Sequence, residues 1–147
     1  MREILFRGKR VDNCKWVSGN LFVSDTDGRT YILAGSRIIT IEWEVDPSTV
    51  GQYTGLMDKN GKRIFEGDMI KPFDDEVDKM VVEFHYGQFL LCLYGERCYI
   101  AEYGWEEKGN YGCFEAELLP RSGDDIEIIG NIHDNPEFMK GDADNGT

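Results

Sequence analysis

Apolar and polar positions alternate along much of this chain, with the period of a strand. From Ile38 to Val45, Ile39, Ile41, Trp43 and Val45 share one face, while Thr40, Glu42 and Glu44 share the other. That predicts a half-buried strand with one wet face. Ile4, Phe6 and Val11 lie in a charged strand-like opening, and Trp16-Val17 and Leu21-Phe22-Val23 continue it after a turn at Asp12-Asn13-Cys14. Asp25-Thr26-Asp27-Gly28 is a second turn, leading into a short strand at Thr30-Tyr31-Ile32-Leu33. Asp46-Pro47-Ser48-Thr49-Val50 predicts a capped helical turn, with Asp46 as N-cap and Pro47 in the first helical position. Met80–Phe84 and Phe89–Tyr94 predict a hairpin with Gly87 in its turn. Its second strand is apolar on both faces, so it should be central or doubly covered. A closing strand at Ile126, Ile128 and Ile132 precedes another helical turn at Asp134–Met139.

The stretch from Val50 to Lys71 organises the rest. Tyr53 and Leu56 flank Gly55, a polar gap runs from Asp58 to Lys62, and Ile64-Phe65 resumes the apolar run. Asn60-Gly61 is a strong hairpin signal and predicts a type I′ turn, with positive φ at both residues. Gly67-Asp68 predicts a tight bend before the next strand. Gly67 would supply the unusual backbone angle, and Asp68 would bond the bend's free amides. Asn60, Gly61, Gly67 and Asp68 are thus read as structural turn residues. The segment Asn13–Leu21 echoes Asn60–Met69, with one extra residue in the second copy, which predicts two similar hairpin units.

Several segments together resemble the YopX family of bacteriophages and prophages. They are Arg2-Glu3-Ile4-Leu5-Phe6-Arg7-Gly8-Lys9, Trp16-Val17-Ser18-Gly19, Val45 through Leu56, Asp58-Lys59-Asn60-Gly61-Lys62, Phe65-Glu66-Gly67-Asp68 and Ile129 through Glu137. They occur in family order along almost the whole chain. Cys14 stands where the family usually has glycine. The resemblance implies a mostly β fold containing an SH3-like barrel, and it carries over no catalytic or ligand residues. The fold class expected is therefore all-β: an SH3-like β-barrel with an additional N-terminal β-hairpin region and short helical turns. Residues 1–139 form the domain, with the barrel core at about 50–133, and 140–147 are a disordered polar tail.

With 147 residues the chain is long enough for a real core as one domain, or as two small packed ones. Its 17 glycines against 4 prolines suit a turn-rich β protein. Charge is uneven. Residues 1–71 hold 11 Lys+Arg against 10 Asp+Glu, and residues 72–147 hold 5 against 18, giving +1 and −13. An anionic second half repels phosphate backbones, so direct nucleic-acid binding is disfavoured. The acidic run Phe73-Asp74-Asp75-Glu76 reads as a solvated loop. The cysteines at 14, 92, 98 and 113 match no zinc framework, and Cys92 in its apolar run reads as a reduced core thiol. No secretory leader or membrane-length apolar run is present, which predicts the cytoplasm of a bacterial host.

Little in the sequence points to catalysis, so no enzyme activity, cofactor or metal is expected. His133 adjoins Asp134, but strand neighbours point to opposite faces and would not form an acid–base pair. Asp25–Gly28 lacks the glycine and glutamate positions of a calcium loop. Binding is favoured instead, through exposed aromatics on loops. The candidate interaction surface is Trp105, Tyr103, Tyr99 and Tyr86, with Tyr53 and Tyr111 behind them. Residues 95–118, which carry most of these rings, read either as a long hairpin or as a loop. The expected partner is a protein, either a host factor or the chain itself as a homo-oligomer. Arg2, Arg7, Lys9, Arg10 and Lys15 would then face the acidic half of a neighbouring copy, an association weakened by salt. Two other functions compete with this one: an acidic nucleic-acid-related regulator that mimics DNA, and a small metal-dependent enzyme.

Overall fold

The structure, a computed structural model, describes residues 2–71, 79–85, 87–94, 113–114 and 126–138. All of its paired strands are antiparallel. They are β1 (Phe6–Lys9), β2 (Trp16–Val23), β3 (Thr30–Gly35), β4 (Thr40–Val45), β5 (Gly51–Met57), β6 (Arg63–Phe65), β7 (Asp68–Ile70), β8 (Lys79–His85), β9 (Gln88–Tyr94), β10 (Cys113–Phe114) and β11 (Ile128–Asn131). One ladder runs β4-β3-β2-β1-β5-β6 and the other β10-β9-β8-β7-β11. Short 3₁₀ turns occupy Pro47–Thr49 and Pro136–Phe138. The fold is therefore all-β, in two antiparallel sheets. Neither ladder closes into a barrel among the described residues.

The chain divides at Gly55 into two compact units, residues 1–55 and 56–147. In the first, β1 to β4 follow one another as a meander, and the sheet rolls on its apolar side. Arg10 bridges Val45. The Val11 N–H donates to the Glu44 carbonyl at 3.1 Å, and the Asp46 N–H to the Lys9 carbonyl at 2.8 Å. These bonds bring the last residues of β4 back against the end of β1. Such a tight roll needs small residues where strands approach. A Cβ on Gly19 would lie 2.2 Å from the Leu33 carbonyl oxygen. Ile32 and Val45 are buried beneath the roll.

Asp46 caps the 3₁₀ turn as the sequence predicts, its Oδ1 accepting from the Ser48 N–H at 3.0 Å. The Thr49 hydroxyl donates to the Asp46 carbonyl at 2.6 Å and accepts from the Lys9 N–H at 2.9 Å. One buried side chain thus satisfies two backbone groups and ties the turn to β1.

The second unit packs Ile64, Ile70, Met80, Val82, Leu91 and Ile126 into one core, with Leu56, Phe89 and Ile128 at its margin. β8 and β9 pair along their whole length from Lys79↔Tyr94 to His85↔Gln88, around the turn at Gly87. Leu90, Leu91 and Cys92 are all buried, so β9 is covered on both faces, as its apolar run predicts.

Three local expectations are corrected. The Asp58–Lys62 turn is not type I′, because Gly61 has φ +79° while Asn60 keeps a negative φ. The Gly61 N–H bonds the Asp58 carbonyl, and the Asp58 carboxylate accepts the Asn60 and Lys62 N–H groups at 2.9 Å each. An ordinary turn followed by one left-handed glycine results, because the aspartate holds the amides that type I′ geometry would leave free. The echo between 13–21 and 60–69 also fails. Trp16 to Val23 is one unbroken strand, whereas Gly67, at φ +88°, breaks the second copy into β6 and β7. Cys92 is disulfide-bonded rather than a reduced thiol. In the ladder it stands directly opposite Cys113, a non-local pairing that strand patterning does not reveal.

Candidate functional site

Trp105, Tyr103, Tyr99 and Tyr86, the aromatic surface expected from the sequence, lie outside the described residues, as do Tyr111 and the polar tail. Tyr53 is buried in the first unit and cannot serve as a contact ring. The turn residues are described. Asp68 is buried, its Oδ2 accepting from the Phe65 N–H at 2.8 Å, which closes the bend around Gly67. Gly67 donates to the Val82 carbonyl at 2.8 Å and accepts from the Ile132 N–H at 2.9 Å. His133 sits in the turn after β11, where its N–H donates to Asn131 Oδ1, and its ring lies beside Gly67.

The surface that emerges instead is on the first unit. The register aligns Leu21 with Ile32 and Ile32 with Trp43, so these three share one face. Val23 and Ile41 lie on the same face by alternation. Ile32 at the centre is buried, and so are Thr30 and Val45 in the row that holds Val23, so apolar exposure on this face lies at its margins. Val23 is 55 % exposed, Ile41 44 % and Ile39 63 %. Ile38, in the turn before β4, is more exposed still, and Leu21 lies at the boundary. Exposed apolar side chains therefore stand at two separate margins of this face, Val23 at the end of β2 and Ile39 and Ile41 at the start of β4.

The opposite face of this sheet is mixed. Phe22 and Tyr31 pair with ring centroids 6.3 Å apart, and Arg29 reaches Glu44 at 3.5 Å. Arg7 lies over the Trp16 ring at 4.6 Å and Lys9 at 5.5 Å. Arg10 Nε donates to Asp12 Oδ1 at 2.9 Å. Three of the five opening basic residues are thus engaged within the unit by ring stacking or ion pairing.

The sequence marked the β4 residues as apolar on one side without showing that this side stays open at its edge. Alternation identifies a greasy face, not the element that covers it. An exposed run of β-branched side chains of this kind marks a contact surface more often than a scattered Leu or Val does.

Among the described residues no helix is long and apolar enough to cross a membrane. The fold is that of an all-β protein of two antiparallel sheets, with exposed apolar side chains at the margins of the first unit's sheet. The YopX protein family matches residues 5–140, and the chain belongs to that family. Among solved structures, the chain is similar to the crystal structure of protein EF1440 from Enterococcus faecalis, with 22 % identity and a TM-score of 0.49, over 95 % of this chain and 100 % of that one. No curated protein matches it.

Proposed function

We propose that this YopX-family chain is a non-catalytic β module that works through protein contacts, and that its first partner is a second copy of itself. The observation that supports this is the exposure of Val23, Ile39 and Ile41 at the margins of a face whose centre, Ile32, is buried. Isologous pairing of such a surface would remove it from water at roughly 25 cal/mol per Å² of apolar area. The phage or prophage setting in a bacterial cytoplasm, and an SH3-like barrel around residues 50–133, belong to this same proposal. The barrel draws support from the successive antiparallel pairing of β7, β8 and β9 and the sharp bend at Gly67.

Sedimentation equilibrium over a concentration and salt series tests it. The wild type should self-associate, with association unchanged or strengthened by salt because the contact is apolar. The double variant Val23→Lys/Ile41→Lys should be monomeric while keeping its far-ultraviolet spectrum. Association that weakens with salt would instead point to the basic opening meeting an acidic surface. A wild type that stays monomeric at high concentration would overturn the proposal.

A further inference from the structure

A second cluster of chemistry-bearing side chains lies in the second unit, on β8 and β9. β8 and β9 place Val81 opposite Cys92, so Val81, Glu83 and His85 share one face with Cys92 by alternation. The donor atoms of Glu83, His85 and Cys92 lie within 4.8 Å of one another. Glu83 Oε1 stands 3.6 Å from His85 Nε2. Cys92 is fully buried and forms the floor. The His85 and Glu83 side chains, 43 % and 29 % exposed, form a mouth open to solvent.

We propose that Glu83, His85 and Cys92 form a binding site for zinc or a similar borderline divalent cation, available only while Cys92 is a thiol. One sulfur, one imidazole nitrogen and one carboxylate oxygen are zinc's own ligand types. Magnesium and calcium take all-oxygen sets, which this trio does not offer. Zinc–ligand bonds of 2.0–2.3 Å put neighbouring donors roughly 3.3–3.8 Å apart in a tetrahedron. The three donors would close by roughly 1.5 Å at most, which side-chain rotation supplies. Water takes the fourth position from the open mouth.

The oxidation state decides whether the site exists. In the structure Cys92 is disulfide-bonded, and a disulfide sulfur carries no charge to give a cation. A protein dithiol or other dithiol reductant supplies two electrons and two protons. The S–S bond breaks, two S–H groups form, and the reductant becomes a disulfide. The Cys92 thiol then loses its proton to solvent as the metal–sulfur bond forms. The same sulfur is therefore either a cross-link or a ligand, never both. This proposal is independent of the exposed apolar side chains on the first unit.

Cobalt(II) serves as the optical probe, on the full chain carrying Cys14→Ser to remove the exposed free thiol. After reduction with a phosphine, the chain should bind one cobalt ion with a thiolate charge-transfer band, and zinc should displace it. The disulfide form should show no band. His85→Ala, at an exposed position that leaves the core untouched, should weaken binding by at least about tenfold. Cys92→Ser should abolish the charge-transfer band. Absence of the band in the reduced chain would overturn the proposal, as would a band of equal strength in the oxidised chain or in either variant.

Discussion

Cys14 and Gly28 occupy the same place in two loops with the same hydrogen bonds. In the first loop the Arg10 N–H donates to the Lys15 carbonyl, the Cys14 N–H to the Arg10 carbonyl, and the Lys15 N–H to Asn13 Oδ1. In the second the Ser24 N–H donates to the Arg29 carbonyl, the Gly28 N–H to the Ser24 carbonyl, and the Arg29 N–H to Asp27 Oδ1. All six distances fall between 2.9 and 3.0 Å. Both loops need a left-handed residue in fifth place, with φ +73° at Gly28 and +59° at Cys14. Cys14 is the one non-glycine with positive φ among the described residues.

A side chain in that region costs about 1–2 kcal/mol, offset in part by the lower unfolded-state entropy of a non-glycine. Cys14→Gly should therefore stabilise the protein by about 0.5–1 kcal/mol, a rise of roughly 1–4 °C in Tm. Thermal unfolding under reducing conditions measures it. Cys14→Ala keeps the backbone strain and should give no gain; equal gains from both variants would show that the strain is not the cause.

Gly19 carries a different constraint. Its backbone is not left-handed, but β2 and β3 approach so closely there that a Cβ would meet the Leu33 carbonyl oxygen at 2.2 Å. A backbone oxygen cannot rotate away, so the ladder itself must part. Gly19→Ala should cost about 3 kcal/mol. Gly28→Ala should cost less, about 1–2 kcal/mol, since a Cβ there meets nothing within 4 Å and only the dihedral is strained. Urea unfolding of both variants ranks them, and the reverse order would show that the roll of the first unit relaxes easily.

Much of the local structure is legible in the sequence. The alternation of β4, the Asp46-Pro47 cap and the hairpin at Gly87 each rest on residues close in sequence, where local chemistry decides. The two-sided burial of β9 followed from an apolar run too continuous for a one-sided strand. Asn60-Gly61 misled because the Asp58 carboxylate, two residues upstream, selects the turn type. The exposure of Val23, Ile39 and Ile41 was hidden for a different reason: the pattern of one strand says nothing about what rests on it. The closeness of Cys92 to Glu83 and His85, and the pairing of Cys92 with Cys113, depend on strand register, which no short window of sequence contains.

Gly67 is pinned from both sides, donating to the Val82 carbonyl and accepting from the Ile132 N–H. The backbone at φ +88° therefore cannot swing to a region that a branched residue prefers. A Cβ would lie 3.5 Å from both the Ile132 side chain and the His133 ring, leaving little room for valine's methyl groups. Gly67→Val should destabilise by about 1–3 kcal/mol. Chemical denaturation checks it, and a loss near zero would mean that the bend tolerates an ordinary residue.

Asp58 joins its own turn to β11 through one carboxylate. Its Oδ1 accepts the Asn60 and Lys62 N–H groups, and its Oδ2 accepts the Ile128 N–H at 3.2 Å. Burial pushes its carboxyl up, but the N–H groups of Lys62, Ile128 and Asn60 and the Lys62 charge outweigh that and hold it below its ordinary 3.8. With the folded value depressed, the stabilisation is fully present above the unfolded value near 3.8 and is lost as pH falls through the folded one. Asp58→Asn keeps an acceptor for two of the amides but turns an NH₂ group toward the Ile128 N–H. That leaves one buried donor unsatisfied and should cost about 1–3 kcal/mol at neutral pH. The variant should also lose part of the wild type's fall in stability below pH 4. Urea unfolding from pH 7 down to pH 3 measures both effects, and parallel curves for wild type and variant would show that the Asp58 charge does not hold the turn to β11.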